Sequence, residues 1–67
     1  MAAVDWVAEH GDGLVGLSAD EAASRVLDAG LTPRRLAPDS VVTAEFRPDR
    51  VDLVADRTGV VSGVRAG

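Results

Sequence analysis

Few residues of this chain could perform acid–base or nucleophilic chemistry. His10 is the one histidine, and only with Asp12 and a serine would it supply the parts of a catalytic triad. The chain has no cysteine, and one histidine is too few for a zinc site of ordinary ligand count. A chain of 67 residues also has difficulty enclosing a substrate pocket of about 300 Å³. We therefore expect no catalytic residue, no metal site and no cofactor, and interpret His10 as a contact to the C-terminal dipole of a helix.

A glycine motif follows His10. Residues 11–16, Gly-Asp-Gly-Leu-Val-Gly, match the G-x-G-x-x-G string of dinucleotide-binding turns. That site requires a preceding strand and a βαβ unit, and the Asp12 carboxylate would repel a pyrophosphate. The motif therefore favours a glycine-rich linker.

Charge and hydropathy exclude further classes. The net charge is −4, the sequence pI is about 4.6, and the aromatic residues are one Trp and one Phe. Nucleic-acid binding requires a basic surface and stacking residues, so we expect no nucleic-acid partner. No apolar run approaches the roughly 20 residues that span a bilayer, and no signal peptide is visible. We expect a soluble monomer that is cytoplasmic, or secreted with its signal removed, in which residues 1–67 form a single domain.

Apolar periodicity and capping residues predict two helices. Residues 2–10 form a short helix closed by Gly11 as a left-handed cap, with Trp6 in the core. Ser18 and Glu21 form a capping box that begins the main helix, and Gly30 ends it. Glu21 and Arg25 are expected to pair on its border. Its apolar stripe comprises Ala19, Ala22, Ala23, Val26, Leu27 and Ala29.

Three strands follow the main helix. Residues 31–37 are a weaker candidate, because Pro33 requires a position that tolerates a missing N–H. Residues 51–56 and 60–65 alternate more clearly and are joined by a turn at 57–59, which predicts a hairpin. We interpret several charged residues as solvated faces without a function: Asp20, Asp28, Arg34, Arg35 and Asp56.

The segment 38–48 carries no helix signal. Apolar residues alternate there with polar neighbours between Pro38 and Pro48. One interpretation is an additional strand. The other is an exposed, proline-bounded segment that a partner binds by strand addition.

The order of several short strings resembles the potato inhibitor I family of serine protease inhibitors, the family of eglin and the barley chymotrypsin inhibitor, and most closely its bacterial and fungal branch. The strings are Leu-Val-Gly at 14–16, Val-Thr-Ala-Glu-Phe at 42–46, Arg-Pro-Asp-Arg-Val at 47–51 and the final Gly67. The resemblance extends over residues 14–67, with residues 1–13 as an N-terminal extension. It implies an α+β fold in which one main helix, with a short N-terminal helix, packs on a small mixed β-sheet with an exposed protease-binding loop at 38–48.

The resemblance also implies the site. The scissile bond would be Ala44–Glu45, with Ala44 in the specificity pocket of a subtilisin-like or elastase-like protease, because a methyl side chain suits shallow pockets. The residues implied to bind the protease are Val41, Val42, Thr43, Ala44, Glu45, Phe46 and Arg47. Those implied to support the loop are Arg50, Asp52 and Gly67.

Two departures from the family pattern are visible. Arg50 stands where one family arginine braces the loop. The second family arginine is replaced by Asp52, whose carboxylate cannot donate a hydrogen bond to the loop and could compete for Arg50. We therefore expect a weaker or temporary inhibitor, and Asp52 favours the alternative of a non-inhibitory interaction module of the same fold. Some relatives join the chain ends by a disulfide where this sequence has Ala3 and Ala66, so the packing of Trp6 must hold the ends here.

Overall fold

The computed structural model describes residues 2–40 and 47–67. Its elements are helix α1 (Ala3–His10), a 3₁₀ helix (Gly11–Leu14), helix α2 (Ala19–Asp28) and strands β1 (Thr32–Leu36), β2 (Arg50–Ala55) and β3 (Val61–Ala66). The sheet order is β1-β2-β3, with β1 and β2 parallel and β2 and β3 antiparallel. The expected α+β fold with a mixed sheet is confirmed. Among the described residues, no helix has the length and hydropathy needed to cross a bilayer.

The core lies between the helices and one face of the sheet. Ala22 and Val26 of α2 pack with Val51 and Leu53 of β2, and all four are fully buried. Trp6 belongs to the same cluster, as predicted. Leu27 was expected in the apolar stripe but is 60% exposed, because it lies beyond the edge of the helix face that meets the sheet.

The end of α1 differs from the expectation. Gly11 has right-handed helical dihedrals, φ −57° and ψ −42°, so it is not a left-handed cap. The chain continues into the 3₁₀ helix and buries Leu14 in the core, which a flexible linker would not do. A Cβ on Gly11 would lie 3.1 Å from Cγ1 of Val7, so close packing explains this glycine better than turn chemistry does.

Helix α2 begins after Ser18 and ends before Gly30, as predicted, with the Ser18 half of the capping box formed. The Ser18 hydroxyl accepts a hydrogen bond from the Glu21 N–H at 3.2 Å, and Glu21 and Arg25 pair at 3.4 Å on the exposed side. Gly30 has φ +78°, a left-handed conformation that glycine adopts without steric cost. The Gly16 N–H donates to the Val61 carbonyl at the start of β3, and the Ala19 N–H donates to the Gly59 carbonyl in the hairpin turn, which ties the entrance of α2 to the hairpin.

The strands lie within one or two residues of the predicted ranges, and the predicted hairpin is β2–β3. The two faces of the sheet carry different side chains. Because side chains alternate along a strand, Val51 and Leu53 face the helices while Arg50 and Asp52 face the other side. We call that side the open face. Register partners of Asp52 share it: Arg34 on β1 and Arg65 on β3.

Candidate functional site

The segment that the sequence identifies as the candidate site connects β1 to β2. Its residues Val41, Val42, Thr43, Ala44, Glu45 and Phe46 lie outside the described residues, and their expected roles remain predictions. The structure describes both ends of the segment. We call residues 37–40 the amino-side stem and residues 47–49 the carboxyl-side stem. Arg47, a predicted loop residue, is exposed in the carboxyl-side stem.

The amino-side stem is held by a local turn. The Ala37 N–H donates to the Ser40 hydroxyl at 2.9 Å, and the Ser40 N–H donates to the Ala37 carbonyl at 3.0 Å. Residues 37–40 are all exposed. The stem forms a shallow recess with the end of β2 and the hairpin turn, lined by Ala37, Pro38, Asp39, Ala55, Asp56 and Arg57. These contacts fix its shape without joining it to the core.

The carboxyl-side stem is bonded to other elements of the fold. The Pro48 carbonyl accepts from the Ala3 N–H in the first turn of α1 at 2.7 Å. The Asp49 carbonyl accepts from the Thr32 N–H at the start of β1 at 2.8 Å, and the Arg47 carbonyl accepts from the Arg50 N–H at 3.2 Å. Ala3 is thus buried and directly bonded to this stem.

Arg50 follows this stem and is fixed at the start of β2. Its side chain is only 11% exposed, and its Nε donates to the Gly67 carbonyl at 2.8 Å. The Gly67 N–H donates in return to the Arg50 carbonyl at 3.0 Å. The same Nε lies 3.5 Å from Oδ1 of Asp52. The three residues predicted to support the loop therefore lie together on or beside the open face.

Asp52 has its strongest interaction with a residue that the sequence analysis assigned no function. Arg34 Nε and Nη2 donate to Oδ1 and Oδ2 of Asp52 at 2.8 and 2.9 Å. The Asp52 side chain is 4% exposed and that of Arg34 is 24% exposed. The interpretation of Arg34 as a solvated residue is wrong, because the parallel register places it directly beside a buried carboxylate. An aspartate inside an otherwise apolar strand was the signal that a cationic partner was required.

The open face carries more positive than negative charge among its described residues. Arg34, Arg50 and Arg65 share it with the single carboxylate of Asp52. Arg65 is exposed, whereas the other two guanidinium groups flank Asp52 closely.

The remaining candidates from the sequence lie elsewhere. His10 occupies the last residue of α1, as expected for a dipole contact; its ring centroid is 5.3 Å from that of Trp6, and its Nε2 is 3.9 Å from Glu9. Within 2–40 and 47–67, no group of three or more His, Asp or Glu side chains is placed to hold a metal ion. Arg35 pairs with Asp20 at 2.7 Å, and both are exposed as predicted.

Asp56 is exposed but organises the hairpin turn. Its Oδ1 accepts from the Thr58 hydroxyl at 2.6 Å, from the Thr58 N–H at 2.9 Å and from the Val60 N–H at 3.1 Å. These bonds favour the ionised carboxylate and lower the pKa of Asp56, with the Thr58 hydroxyl as the largest cause and the Val60 N–H next. Asp56 therefore has a structural role that its interpretation as a solvated residue did not include.

No protein-family model and no curated protein sequence matches the chain. Among solved structures, it is similar to bitter gourd trypsin inhibitor, with a TM-score of 0.74 and 24% sequence identity over 82% of this chain and 85% of that chain. It is also similar to the elastase inhibitor AFUEI, with a TM-score of 0.64 and 17% identity over 96% of this chain and 88% of that chain. The chain thus shares the fold of these two proteins over most of its length.

Proposed function

We propose that this protein is a serine protease inhibitor that presents residues 38–48 to the enzyme as a substrate-like loop with the scissile bond Ala44–Glu45. The fold supports this function, because both structural neighbours are named as inhibitors, one of trypsin and one of elastase. The observation that carries the proposal is the anchoring of the carboxyl-side stem to α1 and β1.

The anchoring controls the fate of the acyl-enzyme. A protease serine adds to the Ala44 carbonyl, the bond to the Glu45 nitrogen breaks, and an acyl-enzyme with a new amine forms. In an ordinary substrate that amine diffuses away and water completes hydrolysis. Here Glu45 is two residues from Arg47, whose stem is bonded to α1 and β1. An amine held next to the acyl group has a high effective concentration, so religation outcompetes hydrolysis.

Tight binding has the same physical origin. A loop already held in its bound shape loses little conformational entropy when it associates. A contact area of about 800 Å² per partner can then give high affinity. The inhibitor needs no catalytic group of its own, in agreement with the residue types in the chain.

The size of Ala44 sets the proposed specificity. A methyl side chain fits a shallow primary pocket, as in elastase-like and subtilisin-like enzymes, and offers no cation to the acidic pocket of a trypsin-like enzyme. Val41 would occupy an apolar secondary subsite. The proposed partner is therefore a serine protease that prefers small residues.

A stoichiometric titration tests the proposal. Subtilisin, an elastase, chymotrypsin and trypsin are each titrated with the intact chain, and mass spectrometry locates any cut. We expect inhibition of subtilisin or elastase near one equivalent and slow cleavage after Ala44. Ala44→Arg should add trypsin inhibition, while Val15→Arg, at an exposed site outside the segment 38–48, should not. If Ala44→Arg gains no trypsin inhibition, the assignment of the scissile bond is wrong.

The alternative function is a non-inhibitory interaction module of the same fold. The presence of Asp52 where the family resemblance implies an arginine favours it, because an acid cannot donate to the loop. Absence of inhibition of all four enzymes, with rapid cleavage of the chain, would support this alternative over the inhibitor.

A further inference from the structure

The helical layer contains a recess that the proposed function does not use. It lies between α1, the 3₁₀ helix and the second half of α2, has a volume of about 380 Å³, and is called the helical recess below. That volume falls within the range of small-ligand sites, roughly 300–1,000 Å³. All of its lining residues lie between positions 6 and 28, so the helical recess is separate from the segment 38–48.

The base of the helical recess is apolar. Trp6 and Leu14 line it, and both are buried members of the core cluster. His10 lines it as well, with its ring centroid 5.3 Å from that of Trp6 and the ring planes tilted by 40°. The face of an aromatic ring carries partial negative charge, so the two rings attract a cation more than an anion.

The walls of the helical recess are charged. Glu9 at the end of α1 and Asp28 at the end of α2 contribute two carboxylates, and Arg25 contributes one guanidinium group. Arg25 also lies 3.4 Å from the carboxylate of Glu21, which offsets part of its charge. The charge that remains in the helical recess is therefore negative.

The surrounding surface has the same sign. Residues 1–30, which form the three helical elements, contain six acidic residues and a single arginine, whereas residues 31–67 contain five acidic residues and six arginines. The negative potential of the helical layer extends beyond individual contacts and raises the local concentration of cations.

This combination selects one class of ligand. An anion would meet two carboxylates, and a neutral apolar molecule would desolvate them without supplying a partner. Within 2–40 and 47–67, no three His, Asp or Glu side chains are placed to hold a metal ion, so a bare metal cation has no ligand set here. An organic cation with an apolar body matches both the base and the walls.

We propose that the helical recess is a second binding site that takes an organic cation. Its ammonium or guanidinium group lies near the carboxylates of Glu9 and Asp28, and its apolar part packs on Trp6 and Leu14. A free amine and a lysine or arginine side chain share this chemistry. The site is independent of the loop, and protease inhibition does not decide it.

The first test compares two probes of opposite charge. Trp6 is the one tryptophan of the chain, so its fluorescence reports on the helical recess. Phenethylamine, a cation near neutral pH, and 3-phenylpropionate, an anion of similar apolar body, are each titrated into the intact chain. We expect saturable binding of the amine alone, with a Kd on the order of 1 mM that rises with added salt. Amide ¹H–¹⁵N shifts should cluster within residues 6–14 and 25–28.

Matched variants locate the charge that matters. Asp28→Asn should weaken binding of phenethylamine about 3- to 10-fold, because one of the two carboxylates is lost. Asp20→Asn on the same helix makes the same change in net charge, but Asp20 pairs with Arg35 and does not line the helical recess. It should alter the Kd less than about twofold. Arg25→Gln removes the competing cation and should strengthen binding. All three positions are exposed, so the fold is retained.

The outcomes separate the proposal from general charge attraction. Absence of saturable amine binding, equal binding of both probes, or equal losses in Asp28→Asn and Asp20→Asn would each overturn it. A third titration, with N-acetyl-arginine amide, distinguishes the sources of the cation. Tighter binding of this probe than of phenethylamine assigns the site to a basic side chain of a protein, and weaker binding assigns it to a free amine.

Discussion

The two stems of the candidate loop are held in different ways. The amino-side stem is shaped by a turn between Ala37 and Ser40. The carboxyl-side stem has a similar turn between Arg47 and Arg50, and its two other carbonyl oxygens also accept hydrogen bonds from α1 and β1. The carboxyl-side stem is therefore tied to two distant elements by bonds that the described contacts of the amino-side stem do not include. For a substrate-like inhibitor this asymmetry is useful, because the stem on the carboxyl side of the scissile bond carries the amine needed for religation.

The carboxyl-side stem is held without a disulfide, since the chain of 67 residues has no cysteine. Each bond to the carboxyl-side stem contributes only about 0.5–1.5 kcal/mol. The donor of the Pro48 bond belongs to a buried residue, since Ala3 is 1% exposed, and the side chain of Arg50 beside the stem is 11% exposed. Variants that alter one anchor at a time therefore test the difference between the stems.

The largest effect, a loss of stability, is expected from replacing Trp6, which packs α1 against the core. Trp6 is 6% exposed and holds the helix whose first turn bonds to Pro48. Trp6→Ala should lower the free energy of unfolding by about 3–5 kcal/mol, which is comparable with the whole stability of a domain this small. Urea unfolding monitored by circular dichroism measures the loss. Val4→Ala, at a site that is 58% exposed on the same helix, should change stability little.

Retention of wild-type stability in Trp6→Ala would show that α1 does not anchor the carboxyl-side stem. The milder Trp6→Phe should keep the fold and still speed cleavage at Ala44–Glu45, which connects the packing of α1 with the loop.

The second-largest effect, on the rate of cleavage after Ala44, is expected from replacing Arg50. Arg50→Ala removes the hydrogen bond to Gly67 and the contact to Asp52, and in the proposed function it also removes a brace of Glu45. Cleavage after Ala44 by subtilisin should accelerate about 10- to 100-fold, as expected for losing one or two hydrogen bonds to a charged group. Mass spectrometry over time measures the rate. Arg57→Ala, which removes an exposed arginine of the hairpin turn, is the matched control.

If Arg50→Ala resists cleavage as well as the wild type does, the bracing role of Arg50 is wrong, and the stem bonds alone hold the loop.

A smaller effect on the cleavage rate is expected from replacing Ser40 in the amino-side stem. Ser40→Ala removes the hydroxyl that accepts from the Ala37 N–H, an exposed local bond of about 0.5 kcal/mol. The cleavage rate should change less than about threefold, because 0.5 kcal/mol corresponds to roughly a factor of two. The same incubation with subtilisin measures it. A rate increase as large as that of Arg50→Ala would remove the proposed difference between the stems.

Local sequence signals were sufficient for the elements that depend on neighbours along the chain. Ser18 and Gly30 marked the ends of α2, and alternation marked β2 and β3. Contacts that depend on strand register could not be predicted from local sequence signals. Arg34 and Asp52 are 18 positions apart in sequence, and only parallel pairing of β1 with β2 makes them neighbours. The 3₁₀ helix at Gly11–Leu14 was missed because its glycine permits close packing against Val7 rather than a turn.

The contacts of the candidate site also differ in whether the sequence predicted them. Arg50 and Gly67 were identified through the family resemblance, and the structure places them in contact. The bond between Ala3 and Pro48 joins the N-terminal extension to the carboxyl-side stem, and no sequence pattern indicated it. A backbone donor in the first turn of a helix can bond to many partners, so its choice depends on tertiary packing.

The smallest effect is expected at the hairpin turn beside the amino-side stem, and it depends on pH. The pKa of Asp56 lies below its ordinary value of 3.8 because the Thr58 hydroxyl and the Val60 N–H donate to the ionised carboxylate. A carboxyl with a lowered folded-state pKa stabilises the fold above its unfolded pKa, and this contribution is lost as pH falls through the folded value. The stability difference between wild type and Asp56→Asn should therefore be constant from pH 7 to about pH 5 and close as the pH drops below about 4. Urea unfolding across that range measures this stability difference.

Asp39→Asn, which removes an exposed charge from the same recess, should not share this change. Since the amino-side stem is held by its own turn, the cleavage rate of Asp56→Asn should match that of wild type at pH 7, and a faster rate would mean that the hairpin turn anchors this stem.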